Sequence, residues 1–507
     1  MILISTAISR KWGVLLVLGC VLGAVFFGSN EGVRGTDQYQ YVEDTRTLSA
    51  NLTPVTNLLF PAKLIREGDT PTPAYFHHNG PPLVVASWLS GFIDSYNAWV
   101  LMNLVCHLIV ALSIYLIAIR FTTPRIAFWT FALYASSPIS IWLTINALQE
   151  QFFAALVAVS LCAFVYRENL LAMLLGFAAL IIGLLSHPLF VLPFVLYAIV
   201  VAIESVSRRD LWRACLSLSM LLGGMAARTL LVDKWFPSSF QPDLAAIISS
   251  AIPGESNMFW HYALEQRVVT IELIWEKFRF AVVRHFFKII EAPFYFYTNV
   301  AGIALVYLLV RHFKSCWRIL IPCALFMGLY VAMITLQQNQ PRYQQIVAGA
   351  SFVVLALGWY YMGCQRVRTW MLVSVLLLML GIDGYLAKRV NMDARQSREQ
   401  LTLLQTQLYD AGIDDNARLA SFNLSPHSPL AITVKPRILL SIKTSMMDTA
   451  NIWKALDYYQ PTHAIVRGDF DMQTLGFDTS LIQSIEGTYF GDLRIFELTQ
   501  SGEQISQ

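Results

Sequence analysis

The sequence predicts a polytopic α-helical membrane protein, with about eleven transmembrane helices and a small extracytoplasmic α/β domain at its C-terminus. Hydrophobic residues make up 56% of the 507 residues and charged residues only 14%. Apolar runs near the roughly 20 residues that cross a bilayer recur until Leu386, where the composition becomes polar. The net charge of +3 is spread over short loops. It therefore indicates topology and not a surface for nucleic acid.

Charged residues separate the apolar runs into the predicted spans. The spans cover residues 13–27, 98–119, 126–143, 152–166, 170–185, 188–203, 214–231, 293–310, 319–336, 345–362 and 371–386. We expect a membrane domain over residues 1–389 and an α/β domain over residues 390–507. No small-residue cleavage pattern follows Phe27, so the first span is predicted to be an anchor and not a cleaved signal.

Basic residues occupy alternate short loops, which the positive-inside rule places in the cytoplasm. These residues are Arg10, Lys11, Arg120, Arg125, Arg167, Arg208, Arg209, Arg213, Arg311, Lys314, Arg318, Arg366 and Arg368. The loops at 28–97 and 232–292, and the chain after Gly384, are then expected outside. These outer segments contain no cysteine, so neither a disulfide framework nor a thiolate metal site is predicted.

The C-terminal domain is predicted from a change of pattern. Residues 395–409 have the pattern of a helix, and apolar residues alternate near residues 418–422, 463–467 and 489–498. Gly491 and Asp492 have the composition of a hairpin turn.

An acidic residue follows the first span at the predicted outer surface. Asp37 has Arg34 before it and Tyr39 and Tyr41 after it. A carboxylate in that position can accept the proton of an acceptor hydroxyl, as a transferase requires of its base. The alternative is a solvated loop acid or a helix cap.

Glu150 lies at the start of a predicted span. An ionised acid inside a span costs on the order of 2 to 3 kcal/mol unless it faces a polar cavity. We therefore predict that Glu150, Gln149 and Asn146 line a cavity and bind hydroxyls of a sugar or acceptor, against the alternative of an ordinary polar helix start. His107, in the middle of a span, is expected to be a hydrogen-bonded core residue.

Three outer segments, taken in order, resemble a known family. These are Thr36-Asp37-Gln38-Tyr39, Asn79-Gly80-Pro81-Pro82-Leu83 and Pro341-Arg342-Tyr343, with support from Ser137-Pro138 to Glu150 and from Ser186-His187-Pro188. The set resembles the GT-C glycosyltransferases that use polyprenyl-phosphate sugars, most closely the protein mannosyltransferase and lipid A aminoarabinose transferase group. The resemblance covers the membrane part and does not extend into the C-terminal domain.

The chain departs from that family pattern in two places. Family members often have two adjacent acids where this chain has Asp37-Gln38, and a basic residue before Pro-Pro where this chain has Gly80. Asp37 is then the base candidate at its position. His77, His78 and Asn79 are candidates to bind acceptor or donor, with surface decoration or loop packing as the alternative for the histidines.

The resemblance implies transfer of a hexosyl or pentosyl group, with inversion, from a polyprenyl-phosphate carrier such as undecaprenyl phosphate to a glycan, lipid or protein of the cell envelope. A leaving phosphate needs a cation, and a guanidinium fits it without a metal. Arg342 is that candidate, with Tyr343 and Arg228 as further phosphate-binding residues, and interfacial anchoring as the alternative for both arginines. No metal site is predicted, and the role of a divalent cation is left open.

Two other classes of function fit part of the pattern. A transporter or flippase of lipid-linked glycans would favour ionisable residues in the middle of broken helices, often in repeated halves, and no repeat is evident here. An O-antigen ligase or polymerase usually has a larger central loop, and the segment at 232–292 keeps that reading open. The expected location is a membrane, such as a bacterial inner membrane, with the site on the periplasmic or extracellular face.

Overall fold

The structure is a computed structural model of the chain. It describes residues 17–26, 28–29, 41–42, 45–46, 48–49, 80–232, 270–272, 274–276, 278–279, 296–336, 341–363, 369–410, 412–413, 417–423, 438–442, 456, 460–468, 470, 478–488 and 491–499.

Within these ranges the chain forms mainly long apolar helices. They are α1 (Val17–Phe26), α2 (Gly80–Leu89), α3 (Ser95–Phe121), α4 (Pro124–Ala135), α5 (Pro138–Ile145), α6 (Glu150–Tyr166), α7 (Leu170–Ser186), α8 (Val191–Ser207), α9 (Leu211–Ala227), α10 (Phe296–Arg311), α11 (Phe313–Leu336), α12 (Ala348–Tyr361) and α13 (Thr369–Asp410). Three short segments join them: 3₁₀ helices at Pro188–Phe190 and Pro341–Val347, and a π-helical turn at Arg228–Val232.

Capping side chains fix where several helices begin. The carboxylate of Asp94 accepts the backbone N–H of Asn97 at the start of α3. Thr123 caps α4 with Pro124 in its first turn, and Asn169 accepts two backbone N–H groups at the start of α7. Each cap satisfies donors that a helix N-terminus otherwise leaves without partners. The apolar runs are thereby divided into separate helices at the loops predicted from charge.

Each predicted span corresponds to a helix or to a bent pair of helices. The run at 126–143 is divided into α4 and α5, which meet at an angle of 43°. The run at 345–362 begins later as an α-helix, at Ala348, because residues 341–347 wind as a 3₁₀ helix. Helix α2 was not predicted as a separate element.

The described part of the chain contains three helices that are long and apolar enough to cross a membrane, α3, α11 and α13, and a fourth if α4 and α5 count as one broken span. Six further apolar helices have 10–17 residues. The structure thus has the helical layout of a polytopic membrane protein. The number of about eleven crossings stays a prediction.

Two ends of the helical bundle differ in chemistry. At one end Arg167, just after α6, binds the carboxylate of Glu204 on α8, while Glu168 binds Arg208 and Arg318. Glu150 begins α6 and therefore lies at the other end, about 25 Å away along the helix axis. Arg167 and Glu150 therefore lie at opposite ends of the same helix, and the orientation of the bundle in the membrane stays a prediction.

The C-terminal domain contains a five-stranded mixed sheet. Its strands are β1 (Leu419–Phe422), β2 (Ile438–Ile442), β3 (His463–Arg467), β4 (Asp478–Thr488) and β5 (Gly491–Thr499), in the order β2-β1-β3-β5-β4. Strand β1 pairs in parallel with β2 and β3, while β5 pairs antiparallel with β3 and β4. The predicted hairpin is present, but Gly491 and Asp492 begin β5 and are not its turn. Gly491 already pairs with Thr488 across the two strands.

Helix α13 connects the two parts without a break. It has 42 residues, and the predicted boundary near residue 389 falls inside it. Its first half packs against α4 and α5. Its second half contributes Leu404 and Leu408 to a small core with Leu419, Ile465 and Ile495 of the sheet. The predicted last span and the predicted helix at 395–409 are one element.

Candidate active site

The turn between α5 and α6 holds the predicted cavity residues. Asn146 caps the end of α5, and its amide nitrogen donates to the carbonyl of Trp142 at 2.6 Å. Ala147 then has a φ of 52°, in the left-handed region that non-glycine residues rarely adopt. Gln149 is the N-cap of α6, whose first residue is Glu150. The negative charge of Glu150 in the first helical turn is favoured by the helix dipole.

A second segment brings Arg342 to the same place. Pro341–Val347 is a 3₁₀ helix that packs against α5, α6, α11 and α12. Proline at its first position suits a helix start, because it has no N–H that would need a partner. In a 3₁₀ helix, residues three apart lie on the same face, so Arg342 and Gln345 share one side of the segment.

Arg342 and Glu150 form an ion pair. The Nε atom of Arg342 lies 2.9 Å from Oε1 of Glu150. The Glu150 side chain is 1% exposed and that of Arg342 is 18% exposed. A carboxylate buried in an apolar bundle needs a partner of opposite charge, since an uncompensated buried charge costs several kcal/mol. The two residues were predicted for different roles, as hydroxyl ligand and phosphate ligand, and the structure joins them in one site.

Tyr343 contacts the same guanidinium. The Cζ atom of Arg342 lies 5.5 Å from the centre of the Tyr343 ring. A cation at this distance from an aromatic face is attracted to it by about 0.5 to 2 kcal/mol. Tyr343 is half-buried and packs against the main apolar core, so its ring helps to hold the guanidinium in place. The contact involves the ring and gives no information on the predicted role of the hydroxyl.

Two amide atoms beside the pair have no hydrogen-bond partner within the described ranges. They are Oε1 of Gln149, next to Glu150, and Nε2 of Gln344, two positions after Arg342. The other end of Gln344 is fixed, because its Oε1 accepts the hydroxyl of Thr298 on α10 at 2.7 Å. Buried polar atoms without partners are uncommon in native proteins, and a catalytic role is one of the explanations for them. The residues that neighbour Glu150 and Arg342 in sequence thus carry one such acceptor and one such donor.

Arg228 lies at the same end of the bundle but makes a different contact. It begins the π-helical turn after α9, and its Nη1 donates to the carbonyl of Leu184 on α7 at 2.8 Å. The end of α7 in turn approaches α6, where the rings of His187 and Phe153 meet at 5.8 Å. The structure thus places Arg228 among the helix ends that surround the site, and its role in binding phosphate stays a prediction.

Four predicted residues lie outside the described ranges: Asp37, His77, His78 and Asn79. Their predicted roles stay predictions. Within the described ranges, no group of three or more histidine, cysteine or acidic side chains has the geometry to hold a metal ion.

A buried polar network behind the ion pair was not predicted as part of the site. It consists of His107, Tyr134, Ser140, Gln151 and Gln345, all with 0% exposure. The sequence offered a signal, since glutamines inside or beside apolar runs need partners. The prediction that His107 is a hydrogen-bonded core residue is confirmed, because its Nε2 lies 2.9 Å from the carbonyl oxygen of Ala135.

Comparison with solved structures identifies the fold. Over 96% of its length the chain superposes on 98% of ArnT from Cupriavidus metallidurans in the apo state, with a TM-score of 0.61 and 12% sequence identity. The structure of the same protein bound to undecaprenyl phosphate gives the same TM-score and identity over 97% of this chain and 98% of that chain. The fold is thus of the GT-C type, as the resemblance in the sequence predicts.

A more distant similarity is to the oligosaccharyltransferase of Archaeoglobus fulgidus in the apo form, with a TM-score of 0.49, 11% identity, and coverage of 90% of this chain and 70% of that chain. No protein-family model and no curated protein matches the sequence.

Proposed function

We propose that the chain is a membrane glycosyltransferase that moves a sugar from a polyprenyl-phosphate carrier to an acceptor at the extracytoplasmic face. The observation that carries the proposal is the Arg342–Glu150 pair at the helix ends opposite the basic loops. On the GT-C fold, a guanidinium at that end is suited to bind the phosphate of a lipid carrier. The fold comparison does not favour the transporter or the O-antigen ligase reading.

The chemistry requires one bond to form as another breaks. The acceptor hydroxyl attacks the anomeric carbon, the bond from that carbon to the phosphate oxygen breaks, and the lipid phosphate leaves with the electron pair. Arg342 stabilises the charge that develops on the leaving phosphate, since guanidinium pairs well with phosphate oxygens. A carboxylate takes the hydroxyl proton, and we assign this role to Asp37. Displacement in one step inverts the anomeric configuration.

In this mechanism Glu150 positions Arg342 and compensates its charge. Its contact with Nε orients the plane of the guanidinium, which has five N–H donors in a rigid fork and can bind more than one anion at once. Glu150 also keeps the arginine charge compensated before the carrier arrives. Gln149 and Gln344 offer an acceptor and a donor to hydroxyls of the sugar, because each has a buried amide atom without a partner in the described ranges.

Binding of undecaprenyl phosphate to purified protein in detergent tests the phosphate site directly. We expect saturable binding by the wild type and an affinity about 10- to 100-fold weaker for Arg342→Ala, because a charge-assisted contact of roughly 1.5 to 3 kcal/mol is lost. Arg395→Ala is the matched control, since Arg395 is an exposed arginine on α13 whose side chain is 71% accessible. No binding by the wild type, or unchanged affinity in a folded Arg342→Ala, would refute the phosphate site.

Release of undecaprenyl phosphate from a panel of undecaprenyl-phosphate sugars, with envelope extract as acceptor, tests the transfer step. Asp37→Asn should reduce release at least 100-fold, the range that general bases contribute, while affinity for undecaprenyl phosphate stays unchanged. Glu399→Gln, at an exposed acid on α13, serves as control. Release at the wild-type rate by Asp37→Asn would remove that residue from the mechanism.

A further inference from the structure

Two glutamines lie directly beside the two residues of the ion pair. Gln151 follows Glu150 on α6, and Gln345 lies three positions after Arg342 on the same face of the 3₁₀ helix. Nε2 of Gln345 donates to Oε1 of Gln151 at 2.9 Å. The two segments that carry the ion pair are therefore joined twice, once by the ion pair and once by a hydrogen bond between two neutral side-chain amides.

Neighbouring side chains fix the orientation of both amides. Nε2 of Gln345 also donates to the Tyr134 hydroxyl at 2.9 Å, and its Oε1 accepts the hydroxyl of Ser140 at 3.0 Å. Nε2 of Gln151 donates to the Tyr134 hydroxyl at 3.2 Å and to Nδ1 of His107 at 3.3 Å.

The donors and acceptors of this network match. With Nδ1 of His107 accepting, its Nε2 carries the proton that is donated to Ala135. The Ser140 hydroxyl donates its proton to Oε1 of Gln345. The Tyr134 hydroxyl, which is also hydrogen-bonded to Ser140, therefore donates to the Ser140 oxygen. A fully satisfied buried network holds one arrangement, because any rotation of an amide would bury unpaired polar atoms.

We propose that Gln151 and Gln345 are positioning residues that set the place of Arg342 relative to Glu150 and hence the affinity of the site for a phosphate monoester. The inference rests on the proposed function of Arg342. The 3₁₀ segment is short and has poorer hydrogen-bond geometry than an α-helix, so its position depends on side-chain contacts such as these. Neither glutamine contacts the carrier, and both act through the guanidinium.

The test replaces the amides by an apolar side chain of similar length. Gln151→Met and Gln345→Met should each weaken binding of undecaprenyl phosphate about 10-fold, and the double variant should be little worse than either single one, since one shared link is lost. In the Arg342→Ala background, Gln345→Met should cause no further loss. Ser217→Ala is the control, because it removes a buried hydrogen bond of 2.8 Å to Ala198 between α8 and α9, away from the site.

Hydrogen–deuterium exchange gives a readout that needs no ligand. Exchange in peptides covering residues 341–347 should rise in Gln345→Met and not in Ser217→Ala. Tyr134→Phe removes only the hydroxyl shared by the two glutamines, and it provides a milder variant, with about a 3-fold loss of affinity, should the methionine variants not fold.

Unchanged affinity and exchange in the glutamine variants would overturn the inference, as would losses that multiply in the double variant or persist without Arg342. Failure of the wild type to bind undecaprenyl phosphate would instead overturn the proposed function. The exchange data would still show whether the hydrogen bond between Gln151 and Gln345 holds the 3₁₀ segment in place.

Discussion

Gln345 and Gln151 lie 194 positions apart in the chain and share a hydrogen bond of 2.9 Å. Next to that bond lie Arg342 and Glu150, the one cation and carboxylate pair that the described ranges place at this end of α6. A polar site in an apolar bundle needs such support, because its charged groups would otherwise take up any arrangement that brings them to water. The site and the core behind it therefore form a single structural unit.

Ala147→Gly should stabilise the protein. Ala147 has a φ of 52° and 0% exposure, and an L-residue in this conformation costs roughly 1 to 2 kcal/mol that glycine does not incur. After the larger entropy of glycine in the unfolded chain is subtracted, a gain of about 0.5 kcal/mol remains. Thermal unfolding in detergent should show a small rise in Tm. Ala154→Gly, in the middle of α6, is the control and should lower Tm.

Glu204→Ala should destabilise the end of the bundle that lies opposite Glu150. Arg167 donates from Nε to Glu204 at 2.7 Å, and the arginine side chain is only 4% exposed. Removing the carboxylate leaves a buried guanidinium without compensation, a loss of about 3 kcal/mol. Tm measured by tryptophan fluorescence should fall markedly, and a Tm within a degree of the wild type would contradict the assigned burial.

The exposed carboxylate of Glu168 gives a matched comparison. The hydrogen bond from Arg208, with its charge, lowers the pKa of this group below its ordinary value. Its stabilising contribution is then present at neutral pH and is lost only as the pH falls below about 4.3, through the lowered folded-state value. Because the side chain is 48% exposed, solvent screens the contact. Glu168→Gln should change Tm far less than Glu204→Ala.

Gly176→Ala should disturb the packing of α7 against its neighbours. A Cβ atom at Gly176 would lie 2.5 Å from Cβ of Ala163 and 2.6 Å from the hydroxyl oxygen of Tyr197. Both distances are shorter than van der Waals contact, so helices must move apart at a cost of about 1 to 3 kcal/mol. Gly223→Ala on α9 is the control, because nothing lies within 4 Å of the added atom. Equal Tm values for the two variants would contradict the close approach.

Asp383→Asn should raise Tm. The carboxylate lies on α13 with 1% exposure, and neither oxygen has a hydrogen-bond partner in the described part of the structure. Burying such a group without a partner costs free energy, more so when it is charged, and the amide removes the charge at nearly constant volume. The expected gain is about 1 kcal/mol. A fall in Tm would show that the carboxylate is paired.

The helices of the membrane part could be predicted from the sequence because their apolar runs are long and charge marks their ends. The division at residues 136–137 and the late start of α12 could not, since 3₁₀ winding and a bend leave no distinct periodicity. Glu150, Arg342 and Tyr343 could be named as candidate residues from chemistry and resemblance, and their roles stay predictions. Their pairing could not, because contacts between distant segments depend on how the helices pack.

The sheet of the C-terminal part could also be predicted only in part from the sequence. Strands β1, β3 and β5 follow from alternation, but the order β2-β1-β3-β5-β4 depends on long-range pairing that no local pattern contains. The polar network was visible only as isolated glutamines and a histidine in apolar surroundings, and its partners come from four different helices and the 3₁₀ segment.

Helix α13 has a mechanical consequence. A continuous helix of 42 residues is about 63 Å long, and it is fixed at one end against α4 and α5 and at the other in the core of the sheet. A molecule that binds to the sheet and shifts it would therefore also tilt the part of α13 that packs against α4 and α5. Helix α5 contacts α13 and ends at Ile145, five positions before Glu150, so a tilt of α13 would act on the segment that leads to the ion pair.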